Sequence, residues 1–449
     1  MERRTFLKLA ALVPGLALAG CGGSKTLLSP KDPTMLSIWH VYGEQADSPM
    51  NRLLTEFNDT VGREKGILLN VTNMTNSAAI GGQLQDAKAG KPGALDLPDL
   101  FSAHSADASA LGIENLVDWN DWFTAEDMAA YVPGFVQDGI IEGKQVVFPV
   151  SKSTQLIFLN GSQYARFAAD TGAQLSTLAT WDGFFEMAGA YRQWSQGKPF
   201  CALDYPLRLV ELNALEQGSG ELYKGSWYDL TNETFRASWM EFARALVQGD
   251  ILISDLYSNT QVMTGETLAG LGSSAAILYY NDFVTYPDNT SEPVEIISLP
   301  CPTFAGGEKL VMQRGAGICT VRSTPERERA CMTFLKWLTA PKRNVDFVTQ
   351  LGYMPVTQTA FANELPNAVR TLDDPMYVSL YQAYLDTQSG YTFYTPPQRR
   401  DYLELETRFE EQVRLQLTAG RVLCEQQGDG AREGLIWSTL DQFEKTYVR

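Results

Sequence analysis

Hydrophobic and polar residues alternate over residues 35–42, which is the pattern of a half-buried β-strand. The pair Ser48-Pro49 follows, which is typical of a helix N-cap with proline in the first turn. Short apolar runs at 67–71 and 98–102 predict two further strands, with a helical stretch around 83–88 between them. Strands that alternate with helices in this way predict an α/β fold with a parallel sheet.

The middle of the chain suggests a passage between two lobes. Two apolar runs within residues 146–160 flank a polar stretch at 149–154, so one run can end a first lobe and the next can open a second. Ligands of parallel sheets bind beyond the carboxyl ends of the strands. His40, Tyr42 and His104 fall at those ends. Helical spacing further predicts helices at 181–194, at 235–247, from 325 to just before 341, and over 402–417.

The N-terminus has the pattern of an export signal. Basic residues at positions 3, 4 and 8 give it a positive start, and the apolar run that ends at residue 19 is too short to span a bilayer as a helix. Leu18-Ala19-Gly20-Cys21 resembles the lipobox of bacterial lipoproteins, and residues 2–8 resemble the twin-arginine export motif. We therefore expect residues 1–20 to be a signal peptide, Cys21 to carry the lipid, and residues 21–33 to form a tether.

Size and charge narrow the class of protein. About 415 residues follow the tether, which is enough for two lobes. The formal charge of −17 repels nucleic acid and anionic lipid headgroups, so we expect no nucleic-acid partner. Beyond the N-terminal run, no stretch reaches about 18 consecutive apolar residues. We expect a protein that its lipid holds at the outer face of the bacterial cytoplasmic membrane.

The motifs argue against an enzyme. Residues 272–276 resemble a serine nucleophile elbow but end in Ala276 instead of glycine, and both histidines of the chain precede them. Phosphate-binding loops, zinc-protease motifs and dinucleotide fingerprints do not occur in the sequence. Its two histidines and five dispersed later cysteines do not have the spacing of a zinc site, so we expect no metal and no cofactor. A glycosidase pair of carboxylates remains an alternative, because the acidic residues allow many pairings.

Eight short segments carry a resemblance to a known family. They are Trp39-His40, Pro98-Asp99-Leu100, Pro149-Val150-Ser151-Lys152-Ser153-Thr154, Thr180-Trp181, Gly272-Ser273-Ser274, Gly315-Ala316-Gly317, Phe334-Leu335-Lys336-Trp337-Leu338 and Gly352-Tyr353-Met354-Pro355-Val356. In this order, behind a lipobox and over nearly all of the mature chain, the set resembles the family 1 extracellular solute-binding proteins of ABC importers. That group includes the maltose-binding and glycerol-3-phosphate-binding proteins.

The resemblance implies a two-lobed α/β fold of the periplasmic-binding-protein kind, with a hinge of crossing strands. One lobe would hold residues 34–152 and 313–350, and the other 153–312 and 351–449. Hinge closure on a small-molecule ligand would present the loaded protein to ABC permease subunits in the membrane. The resemblance implies a monomer without enzymatic activity.

Matching the family position by position suggests the ligand-binding residues Trp39, His40, Tyr42, Ser153, Thr154, Trp181, Ser273, Ser274, Gly315 and Tyr353. Aromatic rings such as those of Trp39, Trp181 and Tyr353 stack on the apolar face of a sugar, and serine and threonine hydroxyls bind its hydroxyl groups. The favoured ligand is therefore a carbohydrate.

A phosphorylated polyol such as glycerol 3-phosphate is the alternative ligand. Two departures from the glycerol-3-phosphate binders weigh against it. Residues 76–78 replace an expected tyrosine-glutamate pair, and Thr392 or Phe393 stands where an arginine is expected, although Arg399 and Arg400 follow. Without a fork-shaped donor, a phosphate lacks its best partner. A surface glycosidase and a ligand-sensing subunit are alternatives from other functional classes.

Overall fold

The computed structural model describes residues 28–43, 48–75, 77–104, 108, 111–222, 228–254, 257–396 and 402–447. The predicted signal peptide, Cys21 and most of the predicted tether lie outside these residues. Asn76, Arg399 and Arg400 also lie outside them.

The strands are short and are distributed along the whole described chain. They are β1 Thr34–His40, β2 Ile67–Asn73, β3 Leu100–Ala103, β4 Ile140–Ile141, β5 Lys144–Gln145, β6 Ser153–Asn160, β7 Cys201–Leu203, β8 Ile251–Ile253, β9 Ala269–Ser273, β10 Phe283–Thr285, β11 Ser291–Pro293, β12 Ile296–Pro300, β13 Leu310–Arg314, β14 Gly317–Thr320 and β15 Thr392–Tyr394.

The helices surround the sheets that these strands form. They are α1 Pro49–Phe57, α2 Arg63–Lys65, α3 Ser77–Lys88, α4 Ala125–Ala129, α5 Pro133–Asp138, α6 Gly161–Thr171, α7 Trp181–Trp194, α8 Pro206–Glu216, α9 Glu233–Gln248, α10 Ser258–Met263, α11 Pro325–Leu338, α12 Pro341–Val348, α13 Leu365–Val369, α14 Pro375–Gly390, α15 Tyr402–Gln427 and α16 Arg432–Tyr447.

The first sheet has the strand order β14-β3-β1-β2, and β1 pairs in parallel with both β2 and β3. The three parallel strands predicted from the sequence are thereby confirmed. β14 comes from late in the chain and runs antiparallel to β3. The predicted start of α1 is also confirmed, because the Ser48 hydroxyl accepts a hydrogen bond from the Asn51 N–H at 3.2 Å.

The second sheet is built around β6, which pairs antiparallel with β9, β12 and β13. All eight residues of β6 are buried, so successive side chains enter two different cores. Leu156 and Phe158 pack in the core that also includes the first sheet, whereas Ile157 and Leu159 pack in the core of the second lobe. The alternation of a strand therefore places Gln155 on the same face as Ile157.

Three chain segments cross between the two sheets: the first contains Lys152, the second Gly315 and the third Met354. These crossing segments lie against one another. Before β6, the Lys152 N–H donates to the Met354 carbonyl oxygen at 3.1 Å, and the Met354 N–H donates back to that of Lys152 at 2.6 Å. Gly315 lies between β13 and β14 with a φ of 106°. A Cβ atom there would approach the Ser151 carbonyl oxygen to 2.8 Å, so only glycine fits this crossing.

The crossing is consistent with two lobes, but the proposed residue bounds of the lobes stay a prediction. Gln313 and Arg314 pair with Thr154 and Ser153 in the second sheet, one residue before Gly315. The asparagine Asn344 joins two crossing segments from within the first lobe. Its Nδ2 donates to the Val150 carbonyl oxygen at 2.8 Å, and its Oδ1 accepts from the Val356 N–H at 2.9 Å.

Within the described part of the chain, no helix combines the length and apolar character needed to cross a membrane. The five cysteines among the described residues, Cys201, Cys301, Cys319, Cys331 and Cys424, are all buried and are not joined in disulfides.

Asn344→Ala is expected to lower the free energy of unfolding by about 3 kcal/mol. The side chain is fully buried, and its loss leaves a carbonyl and an N–H of the crossing without partners. Urea unfolding followed by tryptophan fluorescence measures the change. Asn367→Ala is the matched control, because Asn367 is exposed and should change stability by less than about 0.5 kcal/mol. Equal effects of the two substitutions would contradict this account of the crossing.

Candidate functional site

A cavity of about 230 Å³ lies where the first sheet, the crossing segments and the second sheet meet. The first lobe contributes Val41, Tyr42 and His104, which follow the carboxyl ends of β1 and β3 as the sequence predicted. The remaining wall comes from the crossing and the second lobe, and it includes Ser153, Thr154, Gln155, Tyr205, Arg208, Ser273, Arg314, Gly315 and Tyr353. The cavity therefore has polar and aromatic side chains from both sides of the crossing.

The hydroxyl group of Tyr42 holds this side chain in place. The hydroxyl donates to the Ala316 carbonyl oxygen at 3.1 Å and lies 2.9 Å from the Ser151 Oγ. Burial raises the pKa of Tyr42 far above its usual value, so the group stays a neutral phenol. The ring stands edge-on to Tyr353, with 6.2 Å between centroids. Two tyrosines thus form one aromatic corner of the cavity.

The hydroxyl groups of the crossing differ in what they can offer to a ligand. The Thr154 hydroxyl donates to the Met312 carbonyl oxygen at 2.7 Å, so its proton is already used. The Ser274 Oγ accepts from the Thr154 N–H at 3.0 Å and is fully buried behind the cavity wall. The Ser273 Oγ accepts from the Ala275 N–H at 3.3 Å, which leaves its hydroxyl proton available to a ligand acceptor.

The second-lobe wall carries two arginines on either side of one carboxylate. The Arg208 Nε donates to the Glu406 Oε1 at 3.1 Å, and the Arg314 Nη2 donates to the Glu406 Oε2 at 2.8 Å. Both guanidinium groups also lie near the Tyr205 ring, with 4.7 Å from the Arg208 Cζ to its centroid and 5.7 Å from the Arg314 Cζ. We call Tyr205, Arg208, Arg314 and Glu406 the arginine wall.

Gln155 lines the same cavity and is only 3% exposed. Neither its Oε1 nor its Nε2 has a hydrogen-bond partner among the described residues. A buried amide left in this state costs about 1–3 kcal/mol for each unsatisfied group. Gln155 therefore has an unsatisfied amide donor and acceptor beside the cavity.

Four of the predicted ligand residues lie outside this cavity lining, namely Trp39, His40, Trp181 and Ser274. Trp39 is 2% exposed and packs in a core behind the first sheet. Trp181 is also 2% exposed and packs against Phe242, with 4.8 Å between ring centroids. Large rings at strand ends and helix starts can fill a core as readily as a ligand site, and the sequence pattern does not separate these uses.

His40 is fully buried one residue before the cavity. Its Nε2 lies 2.9 Å from the Asn51 Oδ1, and its Nδ1 accepts from the Tyr42 N–H at 3.1 Å. Burial lowers the pKa of His40 from 6.5 to about 4, so the ring is neutral at physiological pH. His40 thus holds the backbone of Tyr42 in place, and Tyr42 is the residue that reaches the cavity.

Ser153, Thr154, Ser273, Gly315, Tyr42 and Tyr353 are the predicted ligand residues that the structure brings together. Sequence reasoning missed Gln155, Tyr205, Arg208 and Arg314. Among the described residues, no group of three or more histidine, cysteine, aspartate and glutamate side chains could hold a metal ion.

Comparison with known protein families matches residues 53–370 to a profile described as bacterial extracellular solute-binding protein. The match covers well over half of the chain. A comparison with curated protein sequences finds no match.

Solved structures share the architecture over nearly the whole chain. The cyclic α-maltosyl-1,6-maltose binding protein from Arthrobacter globiformis superposes with a TM-score of 0.70 at 16% identity, over 92% of this chain and 98% of its own. UgpB from Mycobacterium tuberculosis, in complex with glycerophosphocholine, gives 0.66 at 17% identity over 92% and 97%. The sugar-binding protein MalE from Xanthomonas citri gives 0.66 at 17% over 92% and 98%. The predicted two-lobed fold is confirmed.

Gln155→Met is expected to leave the unliganded protein as stable as the wild type, or more stable. The substitution replaces an amide without described partners by an apolar side chain of similar volume. Gln145→Met is the matched control, because Gln145 is equally buried but its Nε2 donates to the Val147 carbonyl oxygen at 3.0 Å. We expect the control to lose about 1–3 kcal/mol in urea unfolding. A comparable loss in Gln155→Met would mean that its amide is satisfied in the folded protein.

Glu410 lies one helical turn after Glu406, and burial raises its pKa from 4.5 to about 8. Between pH 4.5 and pH 8, the Glu410 carboxyl group is ionised in the unfolded chain and protonated in the folded chain. The free energy of unfolding therefore falls as the pH rises toward 8. Glu410→Gln should therefore gain stability relative to the wild type between pH 6.5 and 8.5, measured by urea unfolding. Glu425→Gln, at an exposed position on the same helix, should show no such trend. If the stability of the wild type and that of Glu410→Gln changed in parallel with pH, the raised pKa of Glu410 would be ruled out.

Proposed function

Because the chain belongs to the bacterial extracellular solute-binding protein family, we propose that it captures a carbohydrate in the cavity between its lobes and delivers it to an ABC permease. The observation that carries the proposal is the composition of the cavity. Tyrosines from the first lobe, the crossing and the second lobe line it together with serine, threonine and glutamine residues. Sugars combine apolar ring faces with many hydroxyl groups, and such a lining complements both.

The crossing supplies the means of capture. Three backbone segments connect the lobes, and the cavity opens directly onto them. A ligand that contacts both walls stabilises the closed arrangement by its differential affinity for it, and the permease can then distinguish loaded from empty protein. The cargo leaves chemically unchanged, so no catalytic residue is assigned.

The anchor and the partners are part of the same proposal. Lipidated Cys21 would hold the protein at the outer face of the cytoplasmic membrane, and residues 21–33 would let a monomer reach the permease. A sensor subunit would bind the same ligand but contact a different membrane partner. A surface glycosidase would instead cleave an oligosaccharide. Mass spectrometry of the ligand that is recovered after binding detects such cleavage.

Residues 22–449 are expected to gain thermal stability with a neutral or acidic sugar, an oligosaccharide or a polyol derivative. At about 100 times its Kd, a ligand adds roughly 2.7 kcal/mol to the folded state and raises Tm by several degrees. Differential scanning fluorimetry screens the set, and isothermal titration calorimetry gives Kd. The absence of a shift with every polyhydroxylated compound would refute the carbohydrate proposal and leave the fold assignment intact.

Two aromatic substitutions separate the cavity from the core. Tyr353→Ala should weaken binding of the ligand identified by calorimetry by roughly tenfold, because it removes one ring of the aromatic corner. Trp181→Phe should lower Tm but leave Kd unchanged, because Trp181 packs in the second-lobe core. If Trp181→Phe instead weakened binding and Tyr353→Ala did not, the cavity described here would not be the ligand site.

A further inference from the structure

The arginine wall has more positive than negative charge. Arg208 and Arg314 both contact the carboxylate of Glu406, so the side chains of the wall carry two positive charges and one negative charge. The next carboxyl group along the helix, Glu410, is largely protonated at neutral pH because burial raises its pKa to about 8. The wall thus places two guanidinium groups on the cavity of a protein whose formal charge is −17.

The two arginines differ in their access to a ligand. The Arg208 side chain is 4% exposed and is bound along one edge by Glu406, whereas that of Arg314 is 36% exposed on the cavity. Arginine has five N–H groups, and the described contacts of Arg314 use one of them. Its remaining N–H groups form the fork that binds a carboxylate or a phosphate through two parallel hydrogen bonds.

The unsatisfied amide of Gln155 is a second, independent feature of the same cavity. It is buried, it lines the same cavity as Arg314, and its amide has no described partner. Its Oε1 can accept from a ligand hydroxyl, and its Nε2 can donate to a hydroxyl or to an anionic oxygen. The wall thus has a charged fork beside a neutral donor-acceptor pair.

We propose that the arginine wall and Gln155 form a subsite for one anionic group, a carboxylate or a phosphate, on a polyhydroxylated ligand. The inference rests on the proposed carbohydrate function and narrows its substrate class to acidic sugars or polyol phosphates. The anion binds the Arg314 fork, a neighbouring hydroxyl binds Gln155, and the Tyr205 ring borders both. Arg208 acts as a positioning residue, because it holds Glu406 and through it the orientation of Arg314.

Isothermal titration calorimetry on residues 22–449 tests the subsite with three groups of probes. The neutral probes are glucose and maltose, the carboxylate probes are glucuronate and galacturonate, and the phosphate probes are glucose 6-phosphate and glycerol 3-phosphate. We expect at least one acidic probe to bind more tightly than its neutral counterpart, with an affinity that falls as the salt concentration rises. Binding of uronates alone identifies a carboxylate ligand, and binding of phosphates alone identifies a phosphorylated one.

Arg314→Gln should weaken binding of the acidic probe by roughly 10- to 100-fold and remove most of its salt dependence. Arg322→Gln is the matched control, because it removes the same charge from an exposed position in the first lobe where Arg322 meets Asp121. Gln155→Met should weaken the same probe without lowering the stability of the unliganded protein.

The outcomes separate this inference from the function on which it rests. If neutral sugars bind at least as tightly as acidic ones, or if Arg314→Gln and Arg322→Gln give the same Kd, the anionic subsite is wrong and the carbohydrate function stands. If no probe and no other polyhydroxylated compound binds, the carbohydrate function fails and the subsite fails with it.

Discussion

The close approach of the crossing segments is the constraint on which the rest of the structure depends. Gly315 lies so near Ser151 and Lys152 that a side chain would collide with their backbone atoms. The paired hydrogen bonds between Lys152 and Met354 hold the third segment against the first. Because these segments are fixed, β6 and β13 leave the crossing side by side, and the end of β1 faces them. The cavity is the space that remains between these fixed strands.

The polar groups around that space are divided between structure and binding. The backbone of the crossing is hydrogen-bonded by the side chains of Thr154, Ser274 and Asn344, which keep it rigid. Arg314 and Gln155 keep hydrogen-bonding capacity that no described residue uses. Folded proteins rarely leave buried polar groups unsatisfied unless a ligand or water completes them. Under the proposed function, the unused hydrogen-bonding groups at the second-lobe wall are the ones open to a ligand, and the satisfied groups support the crossing.

The sequence predicted the elements with strong local signals. The alternation of β1, the cap at Ser48 and the helical spacing of α7 all appear in the structure as expected. The sequence could not show whether a single aromatic ring lies in a core or in the ligand site, because Trp39 and Trp181 fit the same pattern in either place. Arg208, Arg314 and Gln155 were missed for a different reason. They lie far apart in sequence, and only the pairing of β6 with β13 and the contacts of both arginines with Glu406 bring them together.

Tyr42 connects the cavity to the crossing segments. Its ring faces the cavity, and its hydroxyl is bonded to Ser151 in one crossing segment and to Ala316 in another. A molecule that displaces the ring must also strain or break these two bonds. A ligand that shifted Tyr42 would therefore load both crossing segments at once, and a substitution at this position is expected to change ligand affinity and the ease of hinge closure together.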